Sequence, residues 1–425
     1  MEILYVLLVL LIATRAFGEL AVRVGQPVLV GELLAGVVLG IVVTHNSETF
    51  PVLAELSDDR VFAAVTDLGI FFLMLMAGLE LRPEKLAEGS GRAVLVAVGG
   101  LLVPLACGTG LGWWLLPASD LHAAQSLFLG VAMAITAVPV SVGVLLSLGK
   151  LDTAAGRMIV SAAIVDDVLS LVLLALLTSV LRTGSMPDTS ALLLIVGKIG
   201  AFFAVAIATG SYLLPWLGRR VPSLKAQEFE FSFLVLVGLA FAVVAEALSI
   251  HFLIGAFLAG LLFVRRTINE ETYEDVFRKV SALTHGFLAP VFFASIGIHL
   301  RGGALLETPL FLGALVLVAT AGKLIGAGLP ARLAGMGTRD SLVVGVGMNA
   351  RGAVELIVAD VAFRAGLFAL PDPAPPIVAS LYSAVVITAI ITTLATPIAL
   401  KWLFRREGTG DRANECSAAE AAVDD

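Results

Sequence analysis

Hydrophobic positions in this chain fall in long, almost unbroken blocks, with polar and charged residues gathered in the short stretches between them. Thirteen blocks can be marked: 3–17, 28–43, 62–80, 93–116, 123–148, 158–181, 191–217, 229–248, 252–264, 283–300, 309–330, 341–363 and 377–404. At about 20 residues per bilayer crossing they take up nearly the whole length. The pattern predicts an all-α polytopic membrane protein of about 13 transmembrane helices. The first block lacks a basic start, with Glu2 before it and Arg15 near its far end, so it is expected to be a membrane helix and not a signal peptide.

Composition agrees with the pattern. Of 425 residues, 59% are AVILMFWYC and only 14% are charged, which excludes an ordinary soluble globular protein. The 42 glycines suit helices that approach closely in a bilayer. A net charge of -7 gives no support to a nucleic-acid partner. Cys107 sits in an apolar block and Cys416 in a polar tail, so neither a disulfide framework nor redox chemistry is expected.

Lysine and arginine in alternate loops set orientation. One set of loops holds twenty of them, among them Arg23, Arg82, Lys150, Arg219, Arg265, Arg332 and Arg406; the other holds Arg60, Arg182, Arg301 and Arg364. The basic set is therefore placed in the cytoplasm, with the C-terminus inside and the N-terminus outside. The polar tail, 405–425, is expected to be disordered and leaves no room for a regulatory domain.

Two blocks contain material foreign to a plain lipid-facing helix: MAITAVPVSVG in the fifth and VGVGMNARGAVEL in the twelfth. Pro139 removes a backbone donor in the former, and Gly345, Gly347 and Gly352 ease unwinding in the latter. The blocks are seven apart, so the two helices cross the membrane in opposite directions. This predicts an inverted-topology repeat with two crossed broken helices: residues 1–182 as the first repeat, 183–227 as a connector helix, and 228–404 as the second repeat. Opposed half-helix ends at mid-membrane would offer carbonyl oxygens to a cation and leave dipoles that need compensation.

Charge inside the blocks marks candidate chemistry, because a mid-membrane charge costs at least about 2.5 to 3.5 kcal/mol and tends to be paired or used. Asp166 and Asp167 lie nine or ten residues into the sixth block from Arg157, roughly 15 Å deep. Adjacent helical positions diverge by about 100°, so one carboxylate can face an ion pathway while the other meets a basic group. Lys323 is the candidate for that group. Arg351 and Glu355, four residues apart beside the second break, are expected to compensate each other's charge. Lys198 is expected to snorkel toward the outer interface, and Glu32, Asp67 and Glu246 to serve helix packing.

The blocks VGELLAGVVLG from Val30, DLGIFFLMLMAGLEL from Asp67, ITAVPVSVGVLLSLGKL from Ile135, SAAIVDDVLSL from Ser161, HFLIGAFLAGLLF from His251 and GVGMNARGAVELIVA from Gly345 together resemble the cation:proton antiporter-2 family, the sodium/proton exchanger domain proteins. The resemblance implies a six-helix core of spans four to six and eleven to thirteen, moving as an elevator against a scaffold through which the protein forms a homodimer. It also implies that Asp167 is the essential ion ligand in the Asp-Asp motif, that Asp166 pairs with Lys323, and that Thr136 is the polar residue at the first break. The sequence departs from many sodium exchangers after Arg351-Gly352, where Ala353 replaces an acid and Glu355 follows later.

The function expected is secondary antiport, not enzyme catalysis: cytoplasmic sodium, or lithium, leaves in exchange for external protons. Asp167, Asp166 and Lys323 carry the exchange, and Asp167, Thr136 and Asp166 bind the ion. The cycle is expected to be electrogenic, with no cofactor and no nucleotide, in the cell's inner (plasma) membrane. Potassium/proton antiport on the same architecture is the near alternative. A passive cation channel is disfavoured because no repeat of filter glycines or ring-forming acids is present. An intramembrane aspartyl protease is disfavoured because the two aspartates are adjacent on one helix and diverge.

Overall fold

The computed structural model describes residues 2–45, 60–80, 91–183, 189–213, 216, 228–248, 250–263, 270–300 and 307–421. Among them there is helix and no strand. The helices are α1 (Glu2–Arg23), α2 (Val28–His45), α3 (Arg60–Glu80), α4 (Gly91–Leu115), α5 (His122–Ala134), α6 (Val138–Ser147), α7 (Ala154–Thr183), α8 (Thr189–Ala208), α9 (Phe229–Ala247), α10 (Phe252–Leu262), α11 (Glu270–Leu283), α12 (Ala289–Ile298), α13 (Pro309–Leu333), α14 (Thr338–Gly347), α15 (Ala353–Arg364), α16 (Pro376–Ala379) and α17 (Leu381–Ala421). Short π-helical turns follow α8 and join α11 to α12.

Among the described residues, eight helical segments are long and apolar enough to cross a membrane. The other apolar blocks fall on shorter helices, at Val28–Val43, His122–Ala134, Gly197–Ala208 and Phe252–Leu262, or on the pair α14 and α15. The fifth and twelfth blocks are each interrupted, α5 giving way to α6 at 135–137 and α14 to α15 at 348–352. Two boundaries differ from expectation. The tenth block is the far end of a longer helical run that starts at Glu270 with a polar, amphipathic stretch. The helix α17 runs on past 404 to Ala421, into the polar tail. The cations Arg82, Lys85, Arg219, Arg220, Lys225, Arg265, Arg266 and Arg301, used for orientation, lie outside the described residues.

The helices pack in two groups. In one, α2 lies against α1 and α12, and α3 against α10 and α12, with α9 on α10; in the other, α4 lies against α5, α7 and α13, and α13 against α14 and α17. Reciprocal glycines set the closest contacts. A Cβ on Gly36 of α2 would strike the backbone of Ala294 in α12, and one on Gly297 of α12 the backbone of Leu33 in α2. Gly78 of α3 and Gly260 of α10 face each other in the same way, as do Gly99 of α4 and Gly326 of α13. With lipid as apolar as leucine, such backbone approach and its dispersion contacts replace the hydrophobic drive that holds soluble helices together.

Candidate functional site

The two breaks meet. Ala137 between α5 and α6 donates its backbone N–H to Ala350 O between α14 and α15, at 2.8 Å. Gly352 lies so close to Ala137 that a Cβ there would be 2.6 Å from the Ala137 Cβ, so the crossing requires the absence of a side chain. Pro139 stands in the first turn of α6, where its missing donor is no loss.

Interrupting a helix exposes its last carbonyls, and the opposite broken helix supplies their donors. Arg351, fully buried, donates from Nη1 to Ala132 O at 2.6 Å and from Nη2 to Met133 O at 2.8 Å, capping the carboxyl end of α5. A cation there also meets the negative end of the helix dipole. In return Ser141 of α6 donates to Gly347 O at the end of α14, at 2.5 Å, and Thr393 of α17 donates to Arg351 O at 2.7 Å. Glu355 lies in the first turn of α15, with its Oε2 3.4 Å from Arg351 Nη1. Arg351 precedes that helix, so the pair is not the helical i, i+4 contact the spacing suggested. Its shorter bonds go to the carbonyls of α5.

Beside the crossing, α7 and α13 bring in the remaining charges. Lys323 of α13 and Asp166 of α7 are both wholly buried, with Nζ 3.6 Å from Oδ1. The nearer partner of the ammonium is the Thr136 hydroxyl, which accepts from Nζ at 2.5 Å. The ion pair with Lys323 is the salt bridge Asp166 makes among the described residues. Asp167, one position on, keeps partial exposure. The acid that closes α3, Glu80, is exposed.

Glu80, the last residue of α3, was not singled out from the sequence because it closes an apolar block as any interfacial acid might. Its signal was an acid inside the otherwise apolar run AGLEL. The packing acids lie elsewhere: Glu32 is 3.6 Å from Arg15, Glu246 accepts from the N–H of Phe252 at the start of α10, and Asp67 meets Arg364. Lys198 is exposed on α8.

Residues 6–406 match the family described as sodium/hydrogen exchanger, transmembrane. The chain belongs to that family. It is a family of transporters, not enzymes, and the chain is a multi-pass integral membrane protein. A Bacillus cereus relative, the Na(+)/H(+)-K(+) antiporter GerN, is 33% identical over 98% of this chain and 99% of its own. The Na(+)/H(+) antiporter of Enterococcus hirae is 28% identical over 96% of this chain and 99% of its own. The solved sodium proton antiporter MjNhaP1 from Methanocaldococcus jannaschii superimposes with a TM-score of 0.70, covering 94% of this chain and 97% of that one at 16% identity, a likeness of fold.

Proposed function

We propose that this exchanger-family protein moves cytoplasmic sodium, or lithium, outward against inward-moving protons, and that both compete for the carboxylates of Asp167 and Asp166. The observation that carries the reading is the buried group at the helix crossing. Buried Asp166 and Glu355 and the partly exposed Asp167 beside them stand, among the described residues at the crossing, against two bases, Lys323 and Arg351. Such an excess of carboxylate in low dielectric must be offset by protons or by a bound cation. A site that holds one or the other, in a protein that exposes it alternately to each side, is an antiporter. Asp167 is the ion and proton carrier, since its partial exposure leaves it able to exchange with water, whereas Asp166 is held by Lys323.

The close glycine pairs support the inverted repeat. A twofold relation of spans one to six with eight to thirteen turns the contact of spans two and ten (Gly36 with Gly297) into that of nine and three (Gly260 with Gly78), and turns the contact of four and eleven onto itself. On this reading the α4 to α7 and α13 to α17 group is the moving core, and the group of α1 to α3 and α9 to α12 is the scaffold of a homodimer. The loop charges place the Arg60 end of α3 outside, and the C-terminus in the cytoplasm. The relative named for both sodium and potassium keeps potassium/proton exchange as a second reading.

The test is transport in sealed proteoliposomes holding a pH-sensitive dye, titrated separately with sodium, lithium and potassium. Wild-type protein is expected to move protons on addition of sodium, and Asp167→Asn, which keeps the shape but cannot exchange a proton, to lose at least about 100-fold in rate, a loss consistent with removing a group on which every turnover depends. Near-normal transport by Asp167→Asn would overturn the assignment.

A further inference from the structure

A second charged network lies at the far end of α15, away from the ion site. Arg364, in the last turn of α15, reaches across to α3 of the other helix group. Its Nη1 donates to Asp67 Oδ1 at 2.6 Å and its Nη2 to Thr66 Oγ1 at 2.9 Å. Its Nε lies 2.7 Å from Oδ2 of Asp360, one turn back on its own helix. Behind this fork is a string of rings joining the same two groups. His299 at the end of α12 packs on Phe363 of α15, Phe363 on Tyr382 of α17, Tyr382 on Phe368, and Phe368 on Phe128 of α5, with centroids 5.1, 5.0, 6.3 and 5.2 Å apart. The Tyr382 hydroxyl donates to Ile296 O of α12 at 3.3 Å.

The two kinds of contact differ in what they permit. Within each group, helices interlock through glycines at backbone distance and cannot slide without separating. At this end the groups are joined by side chains, which can part and rejoin while the helices stay whole. The three arms of the fork also differ. Asp360 is buried, at 5% exposure, and rides on the same helix as Arg364, so that ion pair survives any movement of α15. The pair with Asp67 is half-exposed on both sides, and a pair of that kind contributes little enough to be broken in a transport cycle. The planar guanidinium can hold both acids at once and keep one when it releases the other.

We propose that Arg364 is the latch of an outer gate. In this conformation it fastens α15 to Asp67 and Thr66 of α3 and, with the ring string behind it, closes the route from the Arg60 side to the helix crossing. In the alternate conformation it keeps Asp360 and lets go of α3. The latch rests on the antiport reading, because it needs a cycle in which the two groups move against one another.

The test uses a full-length parent carrying Cys107→Ser and Cys416→Ser, reconstituted in liposomes, into which Asp67→Cys and Arg364→Cys are placed together. A short, cleavable bis-thiol reagent is expected to join the pair, to lower cation-driven proton movement at least tenfold, and to release it on reduction. A pair that does not cross-link, or that transports at its unlinked rate once linked, overturns the latch. A parent that moves no protons with sodium, lithium or potassium overturns the antiport reading itself, a distinct result. Asp67→Asn covers the case in which the double variant does not fold, since a half-exposed acid tolerates the change. Loosening the latch favours the state open to the Arg60 side, so the apparent sodium constant is expected to fall about two- to fivefold when measured from that side and to rise when measured from the other. Equal shifts on both sides, or none, overturn the proposal, as a purely structural role for Asp67 would produce.

Discussion

Thr136 illustrates how much rests on a single hydroxyl at the crossing. Lysine has no acceptor capacity and a hydroxyl has both a proton and lone pairs, so with Lys323 donating to it at 2.5 Å the Thr136 proton remains available to a carboxylate or to water. The residue therefore holds the ammonium near Asp166 and, on the proposed reading, would also offer a neutral oxygen to an alkali ion. Replacing it by valine keeps the volume and leaves a buried ammonium with one partner fewer, a change of about 1.5 to 3 kcal/mol for a hydrogen bond to a charged group. We expect Thr136→Val to raise the apparent sodium constant about tenfold or more while lowering maximal rate less, in dye-based vesicle assays across a sodium series. An equal loss for every cation with no change in affinity would point to a packing role instead. At this scale the sequence was most informative where the partner is a charged side chain, as for Asp166 and Lys323. It was least informative where the partner is a backbone carbonyl: nothing in the letters around Arg351 names Ala132 and Met133 as acceptors, because every residue carries the same carbonyl.

Elements were legible to the extent that length and apolarity define them. The two interrupted helices could be located from Pro139 and the glycines at 345, 347 and 352 because each weakens an α-helix for a separate reason, one by removing a donor and the others by the entropy of an unsubstituted backbone. That the two broken helices cross was expected, but which residues meet there, Ala137 with Ala350 and Gly352, was not legible, since it depends on how α4, α7 and α13 hold the two half-helix pairs. Nor were the π-turn at Thr284–Leu288 or the helical continuation beyond residue 405, which leave no mark in hydrophobic periodicity. The contact between breaks gives a test of the element itself. Gly352→Ala puts a methyl 2.6 Å from the Cβ of Ala137, and neither atom is the end of a flexible side chain, so the crossing must widen. Overpacking of this kind costs typically about 1 to 3 kcal/mol. Gly352→Ala is expected to lower the thermal midpoint in detergent and to slow transport, and Ala137→Gly added to it to recover most of both by removing the opposing methyl. If the double variant is no better than the single one, the glycine is required for some other reason than this contact.

For the whole molecule the governing quantity is the charge that travels with each conformational change. Lys323 and Asp166 offset each other in the state described, and each alone would be costly at this depth. On the proposed reading, a sodium ion arriving at Asp167 would add a second cation near the same ammonium, and lysine, unlike arginine, can give up its proton when desolvated. We propose that two protons would then leave for each ion bound, one from Asp167 and one from Lys323, and that a cycle would move net charge. Replacing Lys323 by Gln removes the titrating amine yet leaves a group of similar length that can still donate to Thr136. Lys323→Gln is accordingly expected either to lose transport or to exchange one proton per ion without net current, the second outcome visible as dye-reported proton movement in vesicles with no charge displacement on a solid-supported membrane. Asp166, deprived of its counter-charge in this variant, would then hold a proton of its own throughout the cycle and drop out of the exchange. Transport by Lys323→Gln at the normal rate with unchanged current would mean that the lysine is a fixed support for Thr136 and Asp166, and that the second proton comes from another carboxylate, such as the buried Glu355.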